Sequence, residues 1–344
     1  MENQEEQLPE INSEEKPASL GDVIVYPSKF VKQEQAVNIW TKSVISLGLY
    51  LIIGYYLFNK RWEFLLIITL IVLFHELGHF FAMKFFRYKD LGIFFIPLLG
   101  AYVSGSKREV SQKESAIILL AGPLPGIILG IILYLLYEKN PELAIGNISF
   151  FTASLSLIIL NLINLLPVYP LDGGQLLNRV FLDEEGWIGK AFVFLSIGLL
   201  AWFSWRMYSY THQPVYFILL LFPLMMLLRM FGDSKLKSVE KKIEDTGIDM
   251  DKSYEDLPDE DYWKIRNILA NEYPAFRDVP TAPPYEYHPK EERIMTTIQS
   301  MLHRHLVQDV SLVGKIFIAL IWAAAIASPW LLNMDDYLLR QLGI

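Results

Sequence analysis

The chain reads as an all-α polytopic membrane protein: about seven transmembrane helices, a re-entrant segment and a small cytosolic appendage. Three observations carry that expectation. Of the 344 residues 53% are hydrophobic and the mean hydropathy is +0.30, too apolar for an ordinary soluble protein of this size. Apolar runs long enough to cross about 30 Å of hydrocarbon, at about 1.5 Å of helix per residue, recur along the chain. Charge is pushed to the flanks: residues 1–40 hold eight acids and three bases, and residues 232–310 hold seventeen acids and eleven bases, within a total of −8.

Residues 1–39 form an acidic segment assigned to the cytosol, and its polar start, Met1 to Lys16, does not resemble a cleaved signal peptide. The first span is expected to direct insertion itself. Residues 40–231 read as a six-span core, with crossings near 40–58, 62–83, 115–137, 148–168, 187–207 and 214–231. The run Leu91 to Val103 is apolar but short and interrupted by Gly92, Pro97 and Gly100, so it is expected to be re-entrant or interfacial. Residues 232–310 form an acidic cytosolic region, in which the prolines at 280, 283, 284 and 289 predict an irregular linker. Ile294, Ile298, Met301 and Leu302 recur at helical spacing and predict an amphipathic helix over 291–307. Residues 311–344 supply the seventh span, near 311–333, and a short tail.

Orientation follows from the basic residues of the connections. Lys84, Arg87, Lys89, Lys107, Arg108 and Lys113 lie between spans two and three, and a second basic group follows span six, whereas 138–148 holds only Lys139. The basic connections are expected in the cytosol. Lys60 and Arg61 then fall outside, against the trend. No cysteine is present, which excludes disulfides, thiolate catalysis and cysteine-ligated metal. The acidic flanks argue against nucleic acid as a partner and leave membrane lipid as the expected surroundings.

Within the second span stand His75, Glu76 and His79, an HExxH motif. Residues four apart share a helix face, so both imidazoles can bind one zinc ion while Glu76 reaches a water as general base. Ionisable groups in a spanning helix are costly and by default functional; the plainer alternative is a histidine pair packed against neighbouring helices. An open zinc site needs a third protein ligand. Asp172 is the candidate: in the run Asn161 to Gln175, Pro167 and Pro170 end a helix and Gly173 and Gly174 permit a tight turn, leaving one carboxylate at the level of the histidines. A helix cap or turn residue is the alternative at that position.

HELGH at 75–79, AGPLPG at 121–126 and NLLPVYPLDGG at 164–174 together resemble the site-2 protease family of intramembrane zinc metalloproteases. The resemblance covers roughly residues 60–175. It implies one Zn2+ per chain held by His75, His79 and Asp172, with Glu76 activating water and a transmembrane protein as substrate. It also implies that Asn164 lies near the substrate backbone or the developing oxyanion, with Asn161 a second candidate for that work. Gly122 and Gly126 match small-residue positions where helices approach closely. No peptide-binding insertion separates the core spans, and the resemblance does not extend to 232–344. Rival readings are a metal transporter using the same ligands and a catalytically idle zinc-binding scaffold. The expected setting is a multi-pass protein of the cell (inner) membrane with its site towards the cytosol.

Overall fold

The computed structural model describes residues 26–31, 39–57, 62–97, 100–107, 110–182, 186–212, 216–217, 220–250, 252–302, 306–332 and 334. In chain order the elements are α1 (Ile39–Leu57), α2 (Trp62–Phe85), β1 (Lys89–Ile96), β2 (Gly100–Ser106), β3 (Val110–Ser111), α3 (Gln112–Ala121), α4 (Pro123–Lys139), β4 (Ala144–Ile145), β5 (Ile148–Ser149) and α5 (Phe150–Asn164). They continue with α6 (Asp172–Leu176), a π-helical turn (Leu177–Phe181), α7 (Trp187–Thr211), α8 (Leu221–Glu244), α9 (Asp259–Glu272), α10 (Glu291–Met301), β6 (Leu306–Val307) and α11 (Leu312–Leu331). Two compact units divide the chain: residues 1–35 with 228–304, and residues 36–227 with 305–344.

In the larger unit, five helical stretches among the described residues are long and apolar enough to cross a membrane: Ile39–Tyr56, Trp62–Phe85, Gln112–Lys139, Trp187–Thr211 and Leu312–Leu331. The remaining two expected spans differ. The 148–168 crossing is the shorter apolar helix α5, which stops at Asn164 because Pro167 has no N–H to offer the carbonyl of Ile163. The 214–231 crossing corresponds to α8, which starts at Leu221 and runs on through a charged second half. The 115–137 crossing is two helices, since Gly122 and Pro123 break the chain into α3 and α4.

Starts are set by short polar side chains. Ser111 Oγ accepts from Glu114 N at 3.0 Å, Ser149 Oγ from Thr152 N at 3.1 Å and Ser311 Oγ from Gly314 N at 3.2 Å, each meeting one of the N–H groups a helix start leaves unpaired. Between α4 and α5 the Ser154 hydroxyl donates to Gly130 O at 2.7 Å, a polar bond in an otherwise apolar seam.

The Leu91 to Val103 run is an antiparallel hairpin, with Ile93 opposite Val103, Phe94 opposite Tyr102 and Phe95 opposite Ala101. Aromatic and β-branched residues favour the strands, and Gly100 at φ +99° supplies a conformation other residues rarely adopt. Alternation buries Ile93 and Phe95 in one cluster with Tyr50, Leu65 and Phe80. This hairpin and the minor pairings β4 with β5 and β3 with β6 correct the all-α expectation: the molecule is mostly helical with three two-stranded sheets among the described residues.

The smaller unit has its own core, where Val239 and Ile243 of α8 cluster with Tyr262, Trp263, Ile265 and Leu269 of α9 and Ile294 and Ile298 of α10. The amphipathic helix expected over 291–307 is present only as far as Met301, as α10, and Leu306–Val307 is the strand β6 instead. Asp259, Glu260 and Asp261 open α9, where negative charge complements the helix dipole. Inside the core Arg266 is fully buried and pairs with Glu291 at 2.7 Å, while Tyr262 OH donates to the same carboxylate at 2.5 Å. Burial and the adjacent Glu291 charge push the Tyr262 phenol far above its ordinary range, keeping it a donor. The proline stretch is not a free linker. Ala282 exchanges two hydrogen bonds with the Asn267 side chain, at 2.8 and 2.9 Å, and Arg266 donates to Pro280 O at 2.9 Å.

Candidate metal centre

His75, Glu76 and His79 lie on the buried side of α2, whereas Phe74 and Phe81 are exposed. Helical spacing brings the two rings to 4.8 Å between centroids and the Nε2 atoms to 3.0 Å. Each ring is then fixed from behind. His79 Nδ1 is 2.7 Å from the carbonyl oxygen of Ile118 on α3; a carbonyl only accepts, so Nδ1 carries the proton and Nε2 presents a lone pair. His75 Nδ1 is 2.8 Å from Asn161 Oδ1 on α5. Asn161 Nδ2 donates to Leu157 O at 2.7 Å, which turns the amide oxygen towards the ring and puts His75 in the same tautomer.

Asp172 Oδ2 stands 3.0 Å from His75 Nε2 and 3.3 Å from His79 Nε2. Three acceptors therefore converge with no proton between them, and Asp172 Oδ2 is buried without a hydrogen-bond partner. Such an arrangement is repulsive unless a cation stands among the lone pairs. Separations of 3.0 and 3.3 Å come close to the ~3.3 Å edge implied by tetrahedral bonds of about 2.0–2.1 Å. The three ligand atoms lie within 4.8 Å of one another, and the residues present fit a zinc ion with a position left open.

Two glycines make room for this arrangement. A Cβ on Gly122 would sit 2.3 Å from His79 Nε2, and one on Gly126 would sit 2.2 Å from Asn161 Nδ2. Asp172 opens α6, and Gln175 Nε2 ties the preceding loop by donating to Pro170 O at 2.9 Å. Glu76 is buried beside the histidines, and the backbone of Val103 on β2 reaches its carboxylate. At the far end of α2, Glu63 accepts from Asn147 Nδ2 at 3.0 Å. That bond brings the starts of α2 and α5 together, as His75 and Asn161 do further along, so the two helices run parallel.

Of the residues singled out in the sequence, the structure gathers His75, Glu76, His79, Asp172 and Asn161. Asn164 is hydrogen-bonded within its own helix, Nδ2 donating to Leu160 O at 3.3 Å. Two supports were not anticipated. The Ile118 carbonyl carries no sequence signal, because every residue has one. The tie from Asn161 to His75 does have a signal, a buried amide in an apolar helix, although its partner lies 86 residues away.

Residues 63–141 match the family model described as Peptidase family M50. Over 155 residues the chain is 29% identical to a zinc metalloprotease of Methanocaldococcus jannaschii, covering 44% of this chain and 45% of that one. Over 149 residues it is 30% identical to the stage IV sporulation protein FB of Bacillus subtilis, covering 42% and 51%. A solved structure of a site-2 protease from Methanocaldococcus jannaschii aligns with 57% of this chain and 89% of that one, at 22% identity and a TM-score of 0.38. The chain spans about half the length of the curated relatives it matches. Residues 63–141 are thus similar to Peptidase family M50 and lie among apolar helices long enough to cross a membrane.

Proposed function

We propose that the chain is an intramembrane zinc metalloprotease that hydrolyses peptide bonds in or near transmembrane segments of other membrane proteins. The observation that carries this reading is the convergence of His75 Nε2 and His79 Nε2, which with Glu76 lie on the apolar helix α2, on Asp172 Oδ2 at the start of α6. His75, His79 and Asp172 would hold a zinc ion, which would supply Lewis-acid polarisation of the scissile carbonyl and a lowered pKa for an attacking water. The protein residues do the rest. Glu76 takes the proton from that water and passes it to the leaving amine. Asn161 and Ile118 hold the imidazoles in the tautomer that directs Nε2 to the metal. Asn164, on the same helix as Asn161, is assigned to the substrate carbonyl or oxyanion.

A substrate helix has its carbonyls in internal hydrogen bonds and must unwind before attack. The β1–β2 hairpin, next to Glu76 through Val103, offers strand edges on which an unwound segment can pair. Substrates are therefore membrane proteins with a segment that unwinds easily. The expected orientation has the site open to the cytosol of a cell (inner) membrane. The test is purified wild type against Glu76→Gln on a panel of single-span proteins, with zinc measured in both. Near-stoichiometric zinc with cleavage lost by about 100-fold or more is expected on removal of a general base. Cleavage retained by the variant would remove Glu76 from the reaction.

A further inference from the structure

Residues 26–31 (Tyr-Pro-Ser-Lys-Phe-Val) belong to the smaller unit but have no regular secondary structure, and side chains from residues 254–287 of that unit grip their backbone. Trp263 Nε1 donates to Pro27 O at 2.8 Å, Tyr287 OH to Ser28 O at 2.7 Å and Tyr254 OH to Phe30 O at 2.6 Å. Asp259 Oδ1 accepts from Lys29 N at 2.8 Å. These bonds read the main chain of the segment, whatever its side chains.

Selectivity comes from three further contacts. Tyr26 packs edge-on to Tyr285 at 5.7 Å and Phe30 edge-on to Tyr287 at 5.3 Å. Between them Lys29 Nζ donates to Glu255 O at 2.7 Å and Leu257 O at 2.6 Å, over the Tyr254 ring. The groove wall is preassembled, since Trp263 and Tyr287 stack at an interplanar angle of 3° and the buried Arg266–Glu291–Tyr262 cluster anchors α9 beneath them. Aromatic hydroxyl and indole donors aimed at the carbonyls of a proline-containing strand are the usual means of reading extended peptides.

We infer that this groove is a peptide-recognition site whose resident ligand is the chain's own residues 26–31, and that an extended aromatic-Pro-x-Lys-aromatic segment of a partner membrane protein binds there by displacing it. Cis attachment gives the resident an effective concentration near the millimolar range, so a partner segment gains the groove only when the resident is weakened or released. This inference does not use the metal centre, and the two readings fail separately.

The probe is a fluorescent synthetic peptide of residues 23–32, titrated onto the full chain in detergent. Wild type is expected to bind weakly, and Tyr26→Ala with Lys29→Glu at least tenfold more tightly. Adding Tyr287→Phe and Asp259→Asn to that variant should remove the gain. No tighter binding in the resident-weakened chain, or binding indifferent to the groove substitutions, would overturn the inference. A second construction guards against misfolding: a protease site inserted between Val31 and Ile39 is cut in an otherwise wild-type chain, and unlabelled peptide is added. Exchange of the cut segment supports the inference; a segment that stays bound under excess peptide is a fixed part of the fold and refutes it.

Discussion

Asn161 is held from two sides, its amide nitrogen by Leu157 O and its oxygen by His75, and this makes it a positioning residue for a metal ligand. Loss of such an outer partner typically costs 10- to 100-fold in metal affinity. Asn161→Leu is therefore expected to weaken zinc binding by roughly that factor in a chelator competition, with the membrane helices intact. Asp172→Ala should lose zinc outright, whereas Asn164→Ala should keep zinc and lose activity; equal metal loss in both would place Asn164 among the ligands' supports. The triad was legible in the sequence because HExxH spacing lies within one helix and Asp172 sits in a loop delimited by prolines and glycines. The tautomers were not, because they depend on how α3 and α5 lie against α2. Asn161 is expected from the sequence as a second candidate for substrate contact, and its tie to His75 is a contact the sequence does not show.

At the scale of elements, the break between α3 and α4 illustrates a signal that was present but outweighed. Gly122–Pro123 is a helix terminus followed by a helix start, yet the apolar run around it is long enough to read as one span. The break matters because Gly122 faces His79. Gly122→Ala should displace that ring and lower zinc occupancy while helical content, followed by circular dichroism, stays unchanged. The appendage shows the opposite difficulty. Its proline stretch read as a linker because nothing local reveals that Asn267 and Arg266 wait for its backbone. Removing one partner of the buried pair, as in Arg266→Met, leaves Glu291 charged and unpaired and should cost about 3–5 kcal/mol. Replacing Glu291 by Leu as well should recover much of that loss, measured as denaturant unfolding of the smaller unit.

At the scale of the whole molecule, the docking of residues 26–31 on the smaller unit constrains the path of the chain. A segment just before α1 and the region after Leu236 belong to one compact body, so they stand on one side of the membrane and the crossings between them are even in number. Four of the five clear candidates lie in that interval, so α5 and α8 either both cross or neither does. The six crossings expected from the sequence before the appendage satisfy that condition. Labelling sites at Lys107 and Pro284 should then report the same face and one at Asn140 the other. A shared face for Asn140 and Pro284 would break the reading. Hydropathy alone made α5 and α8 spans without showing that the two assignments are linked.

The bond between Asn147 and Glu63 also acts as a ruler. With Glu63 taken as one edge of the apolar stretch Trp62–Phe85, His75 lies about 18 Å further along the helix, and a hydrocarbon layer of about 30 Å leaves roughly 12 Å for water to travel from the opposite surface. On the proposed function, lipid thus sets the length of the water path. Longer acyl chains should stretch that dry passage and slow turnover, and shorter ones should ease it, in vesicles that differ only in chain length and with metal content unchanged. On the proposed function, membrane thickness acts as a throttle on the reaction, set by the host bilayer and read out through one histidine's distance from the surface.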